Sequence, residues 1–231
     1  MTQSAAVLEM ATILQSDISV VVPAHNEEHR IVQILRELHG LAREVVVVDD
    51  ASTDATATVA GTQGILVVRH QRQTGYLGAV ASGIRVASCP VVVLIDADGE
   101  YDPRDIPIIA APILKGEADL VLGARPRKPR WSEAVLNWLT NLRVPGDSGT
   151  GLRALSRELA LALPMTGTCV CGTSLLEPYL LGARIEQRPV RLRPVNKKRR
   201  VQWKHFLQLF YVLRLLIARR QPRDQTQPGA N

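Results

Sequence analysis

The sequence predicts an α/β fold built around a mostly parallel, Rossmann-like sheet. Three observations lead there. Short β-branched runs alternate with segments of helical periodicity through the first 125 residues. The runs are continuously apolar rather than alternating, as in strands covered on both faces. Three of them end in a polar cluster: Pro23 to Glu28, Asp49 to Asp54 and Asp96 to Asp102. Parallel strands need right-handed crossovers, and ligands bind outside their carboxyl ends. The three clusters therefore read as one site.

Each element follows from its local pattern. Ile18 to Val22 is a strand that stops at Pro23. Asn26 is placed to cap a helix carrying Ile31, Ile34, Leu35 and Leu38, which Gly40 ends. Glu44 to Val48 is the second strand, and Ser52 to Asp54 open a helix reaching about Ala60. Ile65 to Arg69 is the third strand, followed by a helix of small residues from Leu77 to Ala87. Val91 to Ile95 is the fourth strand, Ile106 to Lys115 a helix despite its prolines, and Asp119 to Leu122 a short fifth strand. Beyond Arg125 a basic, Pro-rich loop leads to helices over Trp131 to Leu142, Ser156 to Leu163 and Thr173 to Leu181. Arg184 to Leu192 reads as a strand pair or an edge strand, and Trp203 to Arg220 as a helix with a heavy apolar load. Residues 1–16 read as a leader, 17–200 as the main domain, and 201–231 as a basic amphipathic helix with an expected disordered tail.

Composition narrows the class. The 231 residues are 46% apolar and 22% charged, which is globular rather than disordered. The net charge of +6 hides an asymmetry. Residues 191–223 hold 11 Lys or Arg and no acid, which leaves the first 190 residues at −4. Such a tail seeks an anionic surface. The cysteines, Cys89, Cys169 and Cys171, lack disulfide-framework spacing and fit a reducing cytosol. Cys169-Val170-Cys171 has no His or second Cys pair near it in sequence and reads as small buried thiols. No basic region followed by an apolar core marks a secretory signal at the N-terminus.

The acids carry the chemistry. Asp96-Ala97-Asp98 after a buried strand is a two-oxygen claw, and magnesium or manganese takes hard oxygen ligands of this kind. Glu100 and Asp102 add charge that a cation offsets. In Asp49-Asp50-Ala51-Ser52-Thr53-Asp54, the last three residues suit a helix start. The paired acids before them can accept bonds from the base or ribose of a nucleotide.

Three segments together, Val21 to Glu28, Val47 to Thr56 and Leu94 to Asp98, resemble the family 2 inverting glycosyltransferases over roughly residues 17 to 125. Gly123-Ala124-Arg125, Asp147 to Arg153 and Gly182 to Val190 make the chain most like the polyprenyl- and dolichyl-phosphate mannosyl- and glucosyltransferases. The resemblance implies a single nucleotide-sugar-binding α/β domain of the GT-A type. It implies that Pro23, His25, Glu27, Val48 and Asp50 line a nucleoside pocket, with Ala97 beside them. It further implies that Asp96 touches nucleotide or metal, that Asp98 ligates magnesium or manganese, and that Glu100 is a further ligand. Arg125 is then expected to face the sugar diphosphate or the acceptor phosphate. Arg193 to Arg200 replace a late basic motif of the subgroup, and Lys198 or Arg199 is expected to meet the donor phosphates.

The expected reaction moves a hexose from a nucleoside diphosphate sugar, GDP-mannose or UDP-glucose, to a polyprenyl phosphate. An ionised phosphate acceptor attacks without a strong base; a hydroxyl acceptor calls for one, and Asp147 is the candidate. The alternative is the same catalytic body acting on a soluble or polysaccharide acceptor. The stretch 203–220 is too short and charged for a span and fits an interfacial helix, so the expected location is cytoplasmic and peripheral at the membrane. A nucleotidyltransferase would need a glycine-rich N-terminal phosphate loop, and Val20 to Glu28 contains no Gly. Trp203, Phe206, Phe210 and Tyr211 could stack on nucleic acid, but the acidic strand ends argue against a continuous groove, and no nucleic acid partner is expected.

Overall fold

Strand β1, Ile18–Ala24, is buried along its whole length, as a strand covered on both faces must be. It lies in a seven-stranded sheet of order β3-β2-β1-β4-β6-β5-β7. The others are β2 (Glu44–Asp49), β3 (Leu66–Arg69), β4 (Val91–Leu94), β5 (Leu120–Ala124), β6 (Arg153–Ser156) and β7 (Ile185–Pro189). The helices are α1 (Glu28–Leu38), α2 (Thr56–Gly61), α3 (Gly75–Val86), α4 (Ile106–Leu114), α5 (Trp131–Asn141), α6 (Arg157–Ala162), α7 (Thr173–Leu180) and α8 (Trp203–Ile217). The structure is a computed structural model and describes residues 16–126, 131–195 and 203–220.

Two apolar layers sandwich the sheet. On one side Val20, Val22 and Val47 meet Ile31, Ile34, Leu35 and Leu38 of α1 and Ile106 and Ile109 of α4. On the other, Val21, Val46 and Val48 meet Ala79, Val80 and Ile84 of α3, with Leu136, Leu175 and Val212 from α5, α7 and α8. The period-2 alternation of the valines feeds both layers. The small residues of α3 have a cause: a Cβ at Gly83 would collide with Val21, so the helix must ride close to the sheet.

The main departure from expectation is β6. It runs antiparallel between β4 and β5, pairing Leu94 with Arg153 and Leu122 with Arg153. Its four residues, Arg-Ala-Leu-Ser, have no long apolar run to announce a strand. The reversal matters, because it brings the residues just before β6, 147–152, to the edge where β4 and β5 end. Within residues 184–192 one parallel edge strand forms, β7 on β5, and beyond it Leu192 makes an isolated antiparallel bridge to Tyr101.

Helix starts also differ. Asn26 does not cap α1. It sits at φ 56°, and its Oδ1 accepts from the Thr53 amide at 2.9 Å, tying two loops together. Glu27 stands at the N-cap without a side-chain cap bond. Helix α2 starts at Thr56, later than expected, because Asp54 accepts from both the Thr56 amide and hydroxyl. Asp102 opens a short 3-10 turn, Pro103–Asp105, by accepting from the Arg104 amide at 3.1 Å. Residues 1–15, including most of the expected leader, and the basic stretch 196–202 lie outside the described residues.

Candidate active site

The carboxyl ends of β1, β2 and β4 converge on one open cleft of about 270 Å³. Pro23, His25 and Glu27 line it from the β1 loop, Asp50 from β2, and Asp96, Ala97 and Asp98 from β4. Gln73, Gly75, Tyr76 and Ala79 close it from the start of α3. Seven of the residues singled out from sequence therefore meet in one place.

On the nucleoside side, His25 Nδ1 lies 2.9 Å from the Asp50 carbonyl, and a proton donated there leaves Nε2 toward the neighbouring Asn26. Asp50 Oδ1 accepts from His70 Nδ1, the Thr74 amide and the Thr74 hydroxyl, each at 2.8 Å; Oδ2 accepts from the Gly75 amide at 2.8 Å. Burial opposes the charge on Asp50, but these bonds from His70, Thr74 and Gly75 outweigh it and lower its pKa. One lone pair on Oδ2 remains for a ligand. His70, braced in turn against Ser82 at 2.9 Å, was not singled out in the sequence, where it is one polar residue after a strand. Val48 differs from expectation: its side chain is fully buried in the layer beneath α3, since its position in the β2 alternation points it there.

On the acidic side, Asp98 is 6% exposed, and its Oδ1 accepts from the Glu100 amide at 3.0 Å over Gly99 at φ 78°. Asp96 lies beside two buried phenols. Burial first, then the Asp96 charge, pushes Tyr101 up to about 12 and holds Tyr76 well above the usual range. Tyr101 Oη accepts from the Gly151 amide at 2.7 Å. A Cβ at Gly151 would collide with the Asp96 carboxylate, so this glycine is required by close approach. Glu100 is buried, but it is not among the cleft-lining residues. Asp96 and Asp98 both line the open cleft and offer only oxygen donors, which suits magnesium or manganese better than softer ions.

Arg125 follows β5. Its Nε and Nη2 donate to the two Asp147 carboxylate oxygens at 2.7 and 2.8 Å, and Nη1 is 3.7 Å from Glu133 of α5. Burial works against its charge, but the bonds to Asp147 more than offset that and raise its pKa. Gly149 passes so close that a Cβ would stand 2.8 Å from Arg125 Nη2. The guanidinium thus engages both oxygens of Asp147, the residue expected to act as base for a hydroxyl acceptor. Arg193, at the start of the basic stretch, is ion-paired to Glu37 at 2.6 Å and Asp102 at 3.1 Å. Lys198 and Arg199 lie outside the described residues.

The sequence profile described as glycosyl transferase family 2 matches residues 19–145. The chain belongs to that family. An uncharacterized glycosyltransferase of Mycobacterium tuberculosis is 38% identical over 156 residues, 63% of this chain and 70% of that one. The dolichol-phosphate mannosyltransferase of Pyrococcus furiosus is 33% identical over 129 residues, 52% of this chain but only 36% of its own length. Glucosyl-3-phosphoglycerate synthase from M. tuberculosis, solved with Mn2+, UDP-glucose and phosphoglyceric acid, superimposes with a TM-score of 0.72. It is 28% identical and covers 94% of this chain and 84% of that one. The transferase is thus an enzyme of GT-A architecture.

Proposed function

We propose that this transferase moves a hexose from a nucleoside diphosphate sugar to a phosphate-bearing acceptor, in its main use a polyprenyl phosphate, with inversion. The observation that carries the reading is the convergence of Asp50, Asp96 and Asp98 on one cleft. The nucleoside lies along Pro23, His25, Glu27 and Asp50, and the diphosphate at Asp96, Ala97 and Asp98. Asp98 and Asp96 hold a magnesium or manganese ion, which when bound offsets the charge of the departing diphosphate. Glu100, buried just outside the cleft wall, is the further candidate ligand.

The chain's own residues do the rest by positioning. A phosphate monoester is ionised at neutral pH, so its oxygen attacks the anomeric carbon without a base. Arg125, fixed by Asp147 through Nε and Nη2, holds that oxygen in place with its remaining N–H donors, as charge-assisted bonds. Lys198 or Arg199 is the further candidate for the donor phosphates.

The lipid form of the acceptor is supported by α5 and α8. Glu133, beside Arg125, stands two residues after Trp131, which is 65% exposed. From there Trp131, Val135, Trp138 and Leu142 form an exposed apolar row at helical spacing. On α8, which packs against α5, Phe206, Phe210, Leu213 and Ile217 form a second. A prenyl chain lying along α5 places its phosphate at Arg125, and α8 meets the membrane surface with Arg214 and Arg219 exposed beside it. Among the described residues no helix is long and apolar enough to cross a membrane. A soluble acceptor is the second reading, favoured by the likeness to glucosyl-3-phosphoglycerate synthase.

The test has two stages. Thermal shift with GDP-mannose, UDP-glucose and other donors, with magnesium or manganese, identifies the ligand that stabilises the fold. Transfer from that donor to a short-chain polyprenyl phosphate, phosphoglyceric acid and free sugars then ranks acceptors. Preference for the prenyl phosphate is expected; preference for phosphoglyceric acid overturns the lipid reading, and no donor binding at all overturns both.

A further inference from the structure

The first turn of α8 returns His205 to the loop before α7. The ligand atoms of Cys169, Cys171 and His205 all lie within 4.8 Å of one another. Cys171 Sγ is 3.9 Å from His205 Nε2, and neither cysteine is in a disulfide. The other ring nitrogen, Nδ1, is 2.8 Å from Ser132 Oγ on α5. A proton donated to that hydroxyl selects the tautomer whose Nε2 lone pair faces the sulfurs. This is the supporting bond that metal-binding imidazoles make.

The loop is built to hold this shape. Gln208, fully buried on α8, accepts from the Thr168 amide at 2.8 Å and the Cys169 amide at 3.2 Å. Its amide nitrogen donates to the Cys171 carbonyl at 2.9 Å. Gly172, at φ 85°, lets the chain turn beneath Val212 and Thr140. None of the three residues lines the acidic cleft.

Two sulfurs and an imidazole nitrogen are a donor set for tetrahedral zinc. With Zn–S near 2.3 Å and Zn–N near 2.0–2.1 Å, ligand atoms around one ion stand roughly 3.5–3.8 Å apart. The three atoms thus need to close by about 1 Å or less to share an ion. We propose that Cys169, Cys171 and His205 bind one zinc ion, with a water completing the tetrahedron, and that the ion fastens α8 to the body of the transferase. Thiolate and imidazole favour zinc, whereas the carboxylates of the cleft favour magnesium or manganese, so the two sites sort their metals by chemistry.

The test uses the full chain, expressed with added zinc, purified without chelator and desalted. Elemental analysis is expected to find one zinc per chain, and to find it lost in Cys169→Ser/Cys171→Ser. Replacement by cobalt is expected to give thiolate-to-cobalt charge transfer and the visible bands of a tetrahedral site. Ser132→Ala, which removes only the supporting bond, should weaken zinc retention against a chromophoric chelator by about 10- to 100-fold. A cobalt spectrum without thiolate charge transfer overturns the proposal. So does equal zinc in the double-serine variant, which would locate the ion in the acidic cleft, or a Cys169–Cys171 disulfide in non-reducing mass spectrometry. Should the double variant fail to fold, the cobalt spectrum of the unmodified chain decides alone.

Discussion

Arg125 and Asp147 face each other in a two-bond fork, Nε to Oδ2 at 2.7 Å and Nη2 to Oδ1 at 2.8 Å. Gly149 adds an amide to Oδ1 at 3.3 Å. A carboxylate held this way is expected to position the guanidinium. Asp147→Asn keeps the shape but forfeits one charged bond, a loss of about 1.5–3 kcal/mol, or roughly 10- to 100-fold in kcat. Its pH–rate profile should keep the wild-type acid limb. Disappearance of that limb in the asparagine variant would instead make Asp147 the base. Arg125→Lys, which cannot form the fork, should lose about 10²- to 10³-fold in kcat with the donor-induced thermal shift retained.

Gly151 supplies a second prediction. The Asp96 carboxylate packs where a Cβ would stand, and Tyr101 bonds the Gly151 amide. Gly151→Ala must displace Asp96 or Tyr101, so metal-dependent donor binding should weaken at least tenfold while far-UV circular dichroism stays unchanged. The cost to stability should be about 1–3 kcal/mol, as for overpacking. Undiminished donor binding would show that Asp96 has no fixed part in holding the donor.

Asp102 supplies a pH dependence. The bond from Arg104 holds its carboxyl far below the usual carboxylate range; burial opposes this, and Arg193 and Arg191 reinforce it. A depressed folded pKa means the stabilisation is complete above the unfolded value, near 3.8, and is lost as pH falls toward the folded one. Asp102→Asn should be less stable at neutral pH by about 2 kcal/mol in urea unfolding. That gap should shrink as the pH drops below about 4. A gap independent of pH would assign the loss to packing.

The alternation of elements up to β5, and the three acidic strand ends, were legible because each depends on local pattern. Val91 to Leu94 announces a buried strand, and Asp96 and Asp98 announce its ligand edge. What escaped depends on contacts distant in sequence. Strand β6 is short and owes its place to neighbours on both sides. The Asp50 clamp needs His70 and Thr74, 20 and 24 residues away. Val48 looked like a site residue by motif, yet the sheet's alternation buries it. His205 stands 34 residues from Cys171, so the cysteine pair read as plain thiols until the fold closed.

The apolar row of α8 gives the last prediction. Phe206, Phe210, Leu213 and Ile217 are all exposed, with Phe210 at 67% and Ile217 at 82%. Water solvates such a row poorly, and a membrane surface would cover it. The helix is not free to turn the row inward, because Gln208 and Val212 on its opposite side are completely buried. Phe210→Glu/Ile217→Glu removes two apolar anchors worth about 1.5–3 kcal/mol each when fully buried, less in partial insertion. Sedimentation with anionic phospholipid vesicles should fall at least tenfold, whereas transfer to a short, water-soluble phosphate acceptor should be unchanged. Among the described residues Arg214, Arg219 and Arg220 add exposed charge beside the row, so raised salt should weaken binding of the parent chain without abolishing it. Vesicle binding that is unaffected by the double substitution would remove α8 from the membrane contact, and binding lost entirely in salt would make that contact electrostatic rather than apolar.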